Sequence, residues 1–99
     1  MQTLRYMLTQ YETLKTLAII AEESPKPTRY QCTPREMILK STSDWDKINR
    51  DLIALQSESL VQISQSATVS FSITPKGIDK IQLLEGKPPK YGTVFKPVL

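Results

Sequence analysis

The stretch CTPREMILKSTSDWDKINRDLIAL, residues 32–55, contains two helix starts separated by a short polar turn. At the first start, Thr33 fits an N-cap, Pro34 fits the first helical position, and Glu36 fits the reciprocal partner of a capping box. We therefore predict a short second helix here, with Met37 and Ile38 on its apolar face.

The second half of this stretch predicts a longer third helix after a turn at residues 41–43. Ser43 is predicted to cap it, because Asp46 follows three places later and acidic residues favour the first turn of a helix. The predicted core stripe, at spacings of three and four, consists of Trp45, Ile48, Leu52 and Leu55. The opposite face holds Asp46, Lys47, Arg50, Ile53, Ala54 and Ser57.

The flanking segments supply a first helix, a hairpin and a last helix. Residues 4–23 show helical periodicity in the stripe Leu4, Met7, Leu8, Tyr11, Leu14, Leu17, Ala18 and Ala21. The period changes to two in LVQIS (60–64) and TVSFSIT (68–74), so a hairpin with SQSA (64–67) as its connection is predicted. A last helix begins at Thr74-Pro75 and ends at Gly86, with an apolar face of Ile78, Ile81, Leu83 and Leu84. Gly77 near its start predicts close packing.

The composition favours one small globular domain without enzyme chemistry. The chain has 99 residues, is 39% hydrophobic, and contains no histidine and one cysteine, Cys32. A single cysteine fits a reducing compartment, so we expect a cytoplasmic protein. We find no metal-ligand spacing, no phosphate-binding glycine loop and no paired acid–base carboxylates, and we expect no cofactor. The sequence contains no run of 18 apolar residues, so we predict no membrane span.

The charge divides the chain into a neutral body and a basic tail. All 10 acids lie within residues 1–85, whereas 3 of the 13 bases lie in GKPPKYGTVFKPVL (86–99), which leaves 10 bases against 10 acids in the body. We predict a domain at residues 1–86 and a basic, proline-containing, extended tail at 87–99. Three roles for the tail remain open: an arm that contacts DNA, a segment that holds a protein partner, or a segment that folds back on its own domain.

The order of helix, helix, turn, helix, hairpin, helix is similar to that of winged helix-turn-helix transcriptional regulators, notably the MarR-type and penicillinase-repressor-type families. Residues 32–55 resemble their helix-turn-helix, SLVQIS (59–64) resembles the strand that follows, and ITPKGIDKI (73–81) resembles the passage from wing strand to helix. The resemblance covers roughly residues 12–84. It implies an α+β fold, with a three-helix core, a β-hairpin wing and a C-terminal helix.

The resemblance also implies that the third helix enters the major groove of double-stranded DNA. Lys47, Asn49 and Arg50 are then the candidates for base contacts, because Arg suits guanine edges and Asn suits adenine. Thr33, Arg35 and Lys40 on the second helix, with Arg29 and Lys76 nearby, are the candidates for phosphate contacts. This predicts a sequence-specific DNA-binding protein, a small transcriptional regulator.

Three features favour an alternative, a winged-helix module that binds a protein instead of DNA. The third helix carries a net charge of 2 − 4 = −2 over residues 43–58, the hairpin tip has no base, and Ile53 lies on the supposed groove face. Ile53 could contact a thymine methyl group or a protein partner. No long C-terminal dimerisation helix is predicted in these 99 residues, so we expect a homodimer to use the first helix, the last helix or the tail.

Overall fold

Four α-helices and one antiparallel hairpin form the fold, in the order that the sequence predicts. The computed structural model describes residues 2–94, with side chains described from residue 10 onward. In chain order the elements are α1 (Gln2–Glu22), a 3-10 turn (Pro27–Arg29), α2 (Pro34–Lys40), α3 (Trp45–Ser57), β1 (Val61–Gln65), β2 (Val69–Ile73) and α4 (Pro75–Leu84). The chain is therefore a small α+β domain with a winged-helix-like layout.

Helix α1 supplies much of the apolar core. Leu14, Leu17, Ala18 and Ala21 are buried as the periodicity predicts, and Ile20 is buried as well. They pack in one cluster with buried residues of α2, α3, the hairpin and α4. The side chains of Leu4, Met7 and Leu8, the first part of the predicted stripe, lie outside the described side chains.

The capping box of α2 is confirmed, whereas the predicted cap of α3 is wrong by one residue. The Thr33 hydroxyl accepts from the Glu36 N–H, and the Glu36 carboxylate accepts from the Thr33 N–H. At α3 the cap is Asp44, whose Oδ1 accepts from the Lys47 N–H at 2.9 Å. Ser43 instead belongs to the turn, where its N–H donates to the Ser41 hydroxyl at 3.0 Å.

The core sides of α2 and α3 follow their predicted stripes with one exception. Ile48, Leu52 and Leu55 of α3 are buried. Trp45 is half-buried, with its ring centroid 6.0 Å from that of Phe71. In α2 only Met37 is buried, and the predicted core contact of Ile38 is wrong because 45% of that residue is exposed. A seven-residue helix turns just one side chain fully into the core.

The hairpin packs one face on the core and extends through an additional bridge. Strands β1 and β2 pair in a register that sets Ile63 opposite Phe71. The connection is residues 66–68, slightly later than predicted, because Gln65 still pairs with Val69. On the other edge of β2, Cys32 and Phe71 exchange N–H to carbonyl hydrogen bonds of 2.8 Å in both directions. This bridge joins the segment before α2 to the hairpin.

Helix α4 begins where the hairpin ends, and its first turn fits tightly against the start of β1. The Thr74 hydroxyl accepts from the Gly77 N–H at 2.9 Å, as a cap should. A Cβ on Gly77 would lie 2.2 Å from the Leu60 carbonyl oxygen, so the predicted close packing is confirmed. Ile81 is buried and Ile78 is half-buried, but Leu83 and Leu84 are 50% and 45% exposed.

The tail continues from α4 and returns to it within the described residues. The backbone N–H groups of Tyr91 and Thr93 donate to the carboxylate of Asp79. This part of the tail therefore folds back on its own domain. Residues 95–99, including Lys96, lie outside the described residues. None of the helices within residues 2–94 combines the length and apolar character that a membrane crossing requires.

Candidate nucleic-acid interface

The solvent-facing side of α3 carries a single base. Because Ile48, Leu52 and Leu55 fix the buried side, the opposite side presents Asp46, Arg50, Ile53 and Ser57, all of them exposed. Over half of Ile53, 54%, is accessible. This face is therefore close to neutral and partly apolar, and any base readout by it would depend on Arg50 and its polar neighbours.

Lys47 pairs with Asp51 on its own helix, and this pair is hydrogen-bonded to α1. Its Nζ donates to Asp51 Oδ2 at 2.8 Å, and the same oxygen accepts from the Thr13 hydroxyl of α1 at 2.6 Å. Only 29% of the Lys47 side chain and 11% of the Asp51 side chain are exposed. This i,i+4 pair neutralises a predicted base-contacting residue, and through Asp51 it joins α3 to α1.

Arg50 and Asn49 occupy different sides of α3. The Arg50 guanidinium is exposed, and its Nε donates to the main-chain carbonyl of Asp46 at 3.4 Å. Asn49 is half-buried. Two helical turns further along this side, the Gln56 side chain accepts from the Ile63 N–H of β1 at 2.9 Å. Arg50 is therefore the predicted reader best placed to reach a ligand.

On α2 the three predicted phosphate contacts have different environments. The Thr33 hydroxyl is committed to its capping box. Arg35 and Lys40 are both exposed, at opposite ends of the helix. Ile38 and Leu39 lie between them and are 45% and 71% exposed. The outer surface of α2 is therefore basic at its ends and apolar in its middle.

The exposed bases extend from α2 back to the 3-10 turn, and of these only Lys26 was not among the sequence-based candidates for phosphate contact. The bases of residues 26–40 are Lys26, Arg29, Arg35 and Lys40, all exposed, against one acid, Glu36, which gives 4 − 1 = +3. We name these four side chains the α2 basic surface. A count of charge in short windows identifies this segment and includes Lys26, whereas the charge balance of the whole body does not show it because α3 is acidic.

The two halves of the α2 basic surface are held together by a hydrogen bond. The Tyr30 hydroxyl, next to Arg29, donates to the Glu36 carboxylate, next to Arg35. This bond raises the pKa of Tyr30 to about 12 and lowers that of Glu36. Because the one acid of the segment is engaged by Tyr30 and by the helix cap, the surrounding bases remain available to a ligand.

The hairpin itself is uncharged. Residues 59–75 contain no Asp, Glu, Lys or Arg, and the tip at 66–68 is Ser-Ala-Thr. Its exposed polar groups could donate hydrogen bonds to phosphates, but it adds no electrostatic attraction. Among residues with described side chains, no group of three or more His, Cys, Asp or Glu is arranged to hold a metal ion.

The chain matches no protein-family model, no curated protein sequence and no solved structure.

Proposed function

We propose that this protein is a winged helix-turn-helix protein that binds double-stranded DNA, as a small transcriptional regulator does. The observation that carries the proposal is the α2 basic surface, four exposed bases on, or immediately before, the two elements that precede α3. These bases would hold phosphates, which supply most of the affinity of such proteins. Arg50, on the exposed face of α3, would contact base edges.

The two kinds of contact predict two kinds of mutational effect. Replacing Arg29 or Arg35 with alanine should weaken all duplexes alike and should lower the slope of log affinity against log salt by about 0.9 each. Replacing Arg50 should reduce discrimination between duplex sequences, by about 1–3 kcal/mol at the position it reads. Lys80→Gln, which removes an equal charge from α4, is the matched control and should change neither property.

The experiment is fluorescence anisotropy of labelled random duplexes at low and moderate salt, followed by selection of a preferred site. Binding that weakens steeply with salt and depends on Arg29 and Arg35 would support the proposal. If the wild-type protein does not bind duplex at low salt, or if Lys80→Gln weakens binding as much as Arg35→Ala, the α2 basic surface is not a phosphate-binding surface.

A second candidate function is a protein-interaction module, which the apolar exposure of the same helices favours. Ile38 and Leu39 of α2 and Ile53 of α3 are accessible, although each belongs to a residue type usually found in cores. Such side chains supply the buried centre of protein interfaces. This function is established instead if the protein does not bind DNA but binds a protein partner, and if replacing Ile53 with serine lowers the affinity for that partner.

A further inference from the structure

Asp79 of α4 is a buried carboxylate, and its hydrogen-bond donors come from the tail. It lies in the first half of α4 and has 0% of its surface exposed. Its Oδ1 accepts from the Tyr91 N–H at 2.9 Å and its Oδ2 accepts from the Thr93 N–H at 2.8 Å. A carboxylate removed from water is costly unless such bonds replace its hydration.

The pKa of Asp79 is lowered, which agrees with hydrogen bonding of the tail to the ionised carboxylate. Burial by itself raises the pKa of the Asp79 carboxyl, but hydrogen bonds from Thr93 and from the backbone N–H groups of Tyr91 and Lys90 outweigh it, so the pKa is lowered. Successive main-chain N–H groups that converge on one anion form a concave binding site for negative charge. Here that site is supplied by the tail and the anion is supplied by the domain.

The rest of the tail has few other attachments among the described residues. The Lys87 N–H donates to the Gln82 carbonyl at 2.8 Å, and the Lys87 ammonium lies 3.4 Å from Glu85. Pro88 and Pro89 have no N–H to donate, and the side chains of residues 86–92 are exposed. Beyond its first residue, the segment is therefore held chiefly through Asp79.

The same segment forms one wall of a cavity. A space of about 220 Å³ lies between α1, α4 and the tail. Its lining is more polar than apolar. The polar part includes Glu22 and Gln82, the apolar part includes Ile78 and Ile81, and the tail contributes Lys87 and Lys90. Moving the tail away would widen the opening of this space on the side of Lys87 and Lys90 and expose more of its lining, including the apolar part, to solvent.

We infer that residues 87–94 are a strap that closes the cavity between α1 and α4, and that Asp79 is the latch that holds the strap shut. The latch binds main-chain N–H groups and the strap buries little of its own side-chain surface. Opening therefore costs a few hydrogen bonds and leaves the core of the domain in place. The inference is independent of DNA binding.

The test is hydrogen exchange of the full chain with Asp79→Asn, with Asp46→Asn as the control that removes the same charge from an exposed position. In Asp79→Asn the amide oxygen can still accept one bond, but the second acceptor and the charge are lost. The Tyr91 and Thr93 amides should exchange about tenfold faster or more, while amides in α1 and α3 keep their rates. Asp46→Asn should leave the strap amides unchanged.

Two further results decide the inference. Asp79→Asn should also bind more of the apolar dye ANS than Asp46→Asn, because the cavity lining becomes accessible; strap opening without added dye binding would overturn the closing role. If Asp79→Asn does not fold, the wild-type protein serves instead, with the Tyr91 and Thr93 amide shifts followed by NMR during acid titration. The latch is overturned if the Tyr91 and Thr93 amide shifts do not change as Asp79 titrates. It is also overturned if Asp79→Asn speeds hydrogen exchange equally throughout the chain.

Discussion

Replacing Gly77 with alanine tests the joint between the hairpin and α4. The added Cβ would lie 2.2 Å from the Leu60 carbonyl oxygen and 2.9 Å from Cγ1 of Ile73. The oxygen belongs to backbone, and it already accepts from the Thr74 N–H at 3.1 Å and from the Thr74 hydroxyl at 3.0 Å. The methyl group therefore cannot be accommodated by a side-chain rotation, and the strand or the helix must move.

The size of the effect follows from three contributions. Overpacking of this severity costs about 3 kcal/mol. Weakened hydrogen bonds to Leu60 add about 1 kcal/mol. The higher helix propensity of alanine returns about 1 kcal/mol. We expect a net loss of about 3 kcal/mol in the free energy of unfolding, which for a domain of this size lowers Tm by roughly 12–24 °C.

Urea denaturation followed by circular dichroism measures this loss, and Gly86→Ala provides the control. Gly86 has φ +72°, and a Cβ at this position would meet no atom within 4 Å, so alanine there meets only the backbone penalty of about 1 kcal/mol. If Gly77→Ala costs less than Gly86→Ala, or changes stability by under about 1 kcal/mol, the close approach of α4 to Leu60 is wrong.

Three other changes probe single interactions. Asp51→Asn should cost about 1–2 kcal/mol of stability because a charge-assisted bond is lost. If DNA is bound, it should also raise the salt slope of affinity by about 0.9, since Lys47 is freed; an unchanged slope would show that Lys47 does not reach phosphate. Thr33→Ala should lower the free energy of unfolding by about 1 kcal/mol and leave duplex affinity unchanged, with Thr33→Ser retaining both; a loss of affinity in the folded variant would give the hydroxyl a second role. The pKa of Glu85 is lowered to about 2, first by its bond from Lys15, so the stability it contributes is complete above its unfolded pKa of about 4.3 and is lost as pH falls toward 2. Urea midpoints should fall less steeply over that range in Glu85→Gln, and identical pH profiles would contradict the assignment.

Local signals in the sequence were sufficient where the interaction itself is local. The capping box of Thr33 and Glu36 needs residues three apart, and the Lys47–Asp51 pair needs one helical turn, so both could be predicted. The predicted cap of α3 was wrong by one residue because Ser43 and Asp44 are both good cap residues, and only the geometry of the turn selects between them.

The remaining features depend on residues far apart in the chain. The bond from Thr13 to Asp51 spans 38 residues, and it joins the Lys47–Asp51 pair to α1. The bridge between Cys32 and Phe71 and the burial of Asp79 likewise require the tertiary fold. Periodicity assigns a side chain to a helix face, but it does not show what another element places against that face.

Because Cys32 is buried, the reactivity of its thiol reports unfolding of this chain. The residue is the single cysteine, it has 0% of its surface exposed, and burial raises the pKa of its thiol to about 12. A thiol-reactive reagent therefore has one target, and this target becomes available when the fold around Cys32 opens. The rate at which the unmodified protein is labelled then measures how often this position opens. Stabilising ligands can be screened by how far they lower that labelling rate.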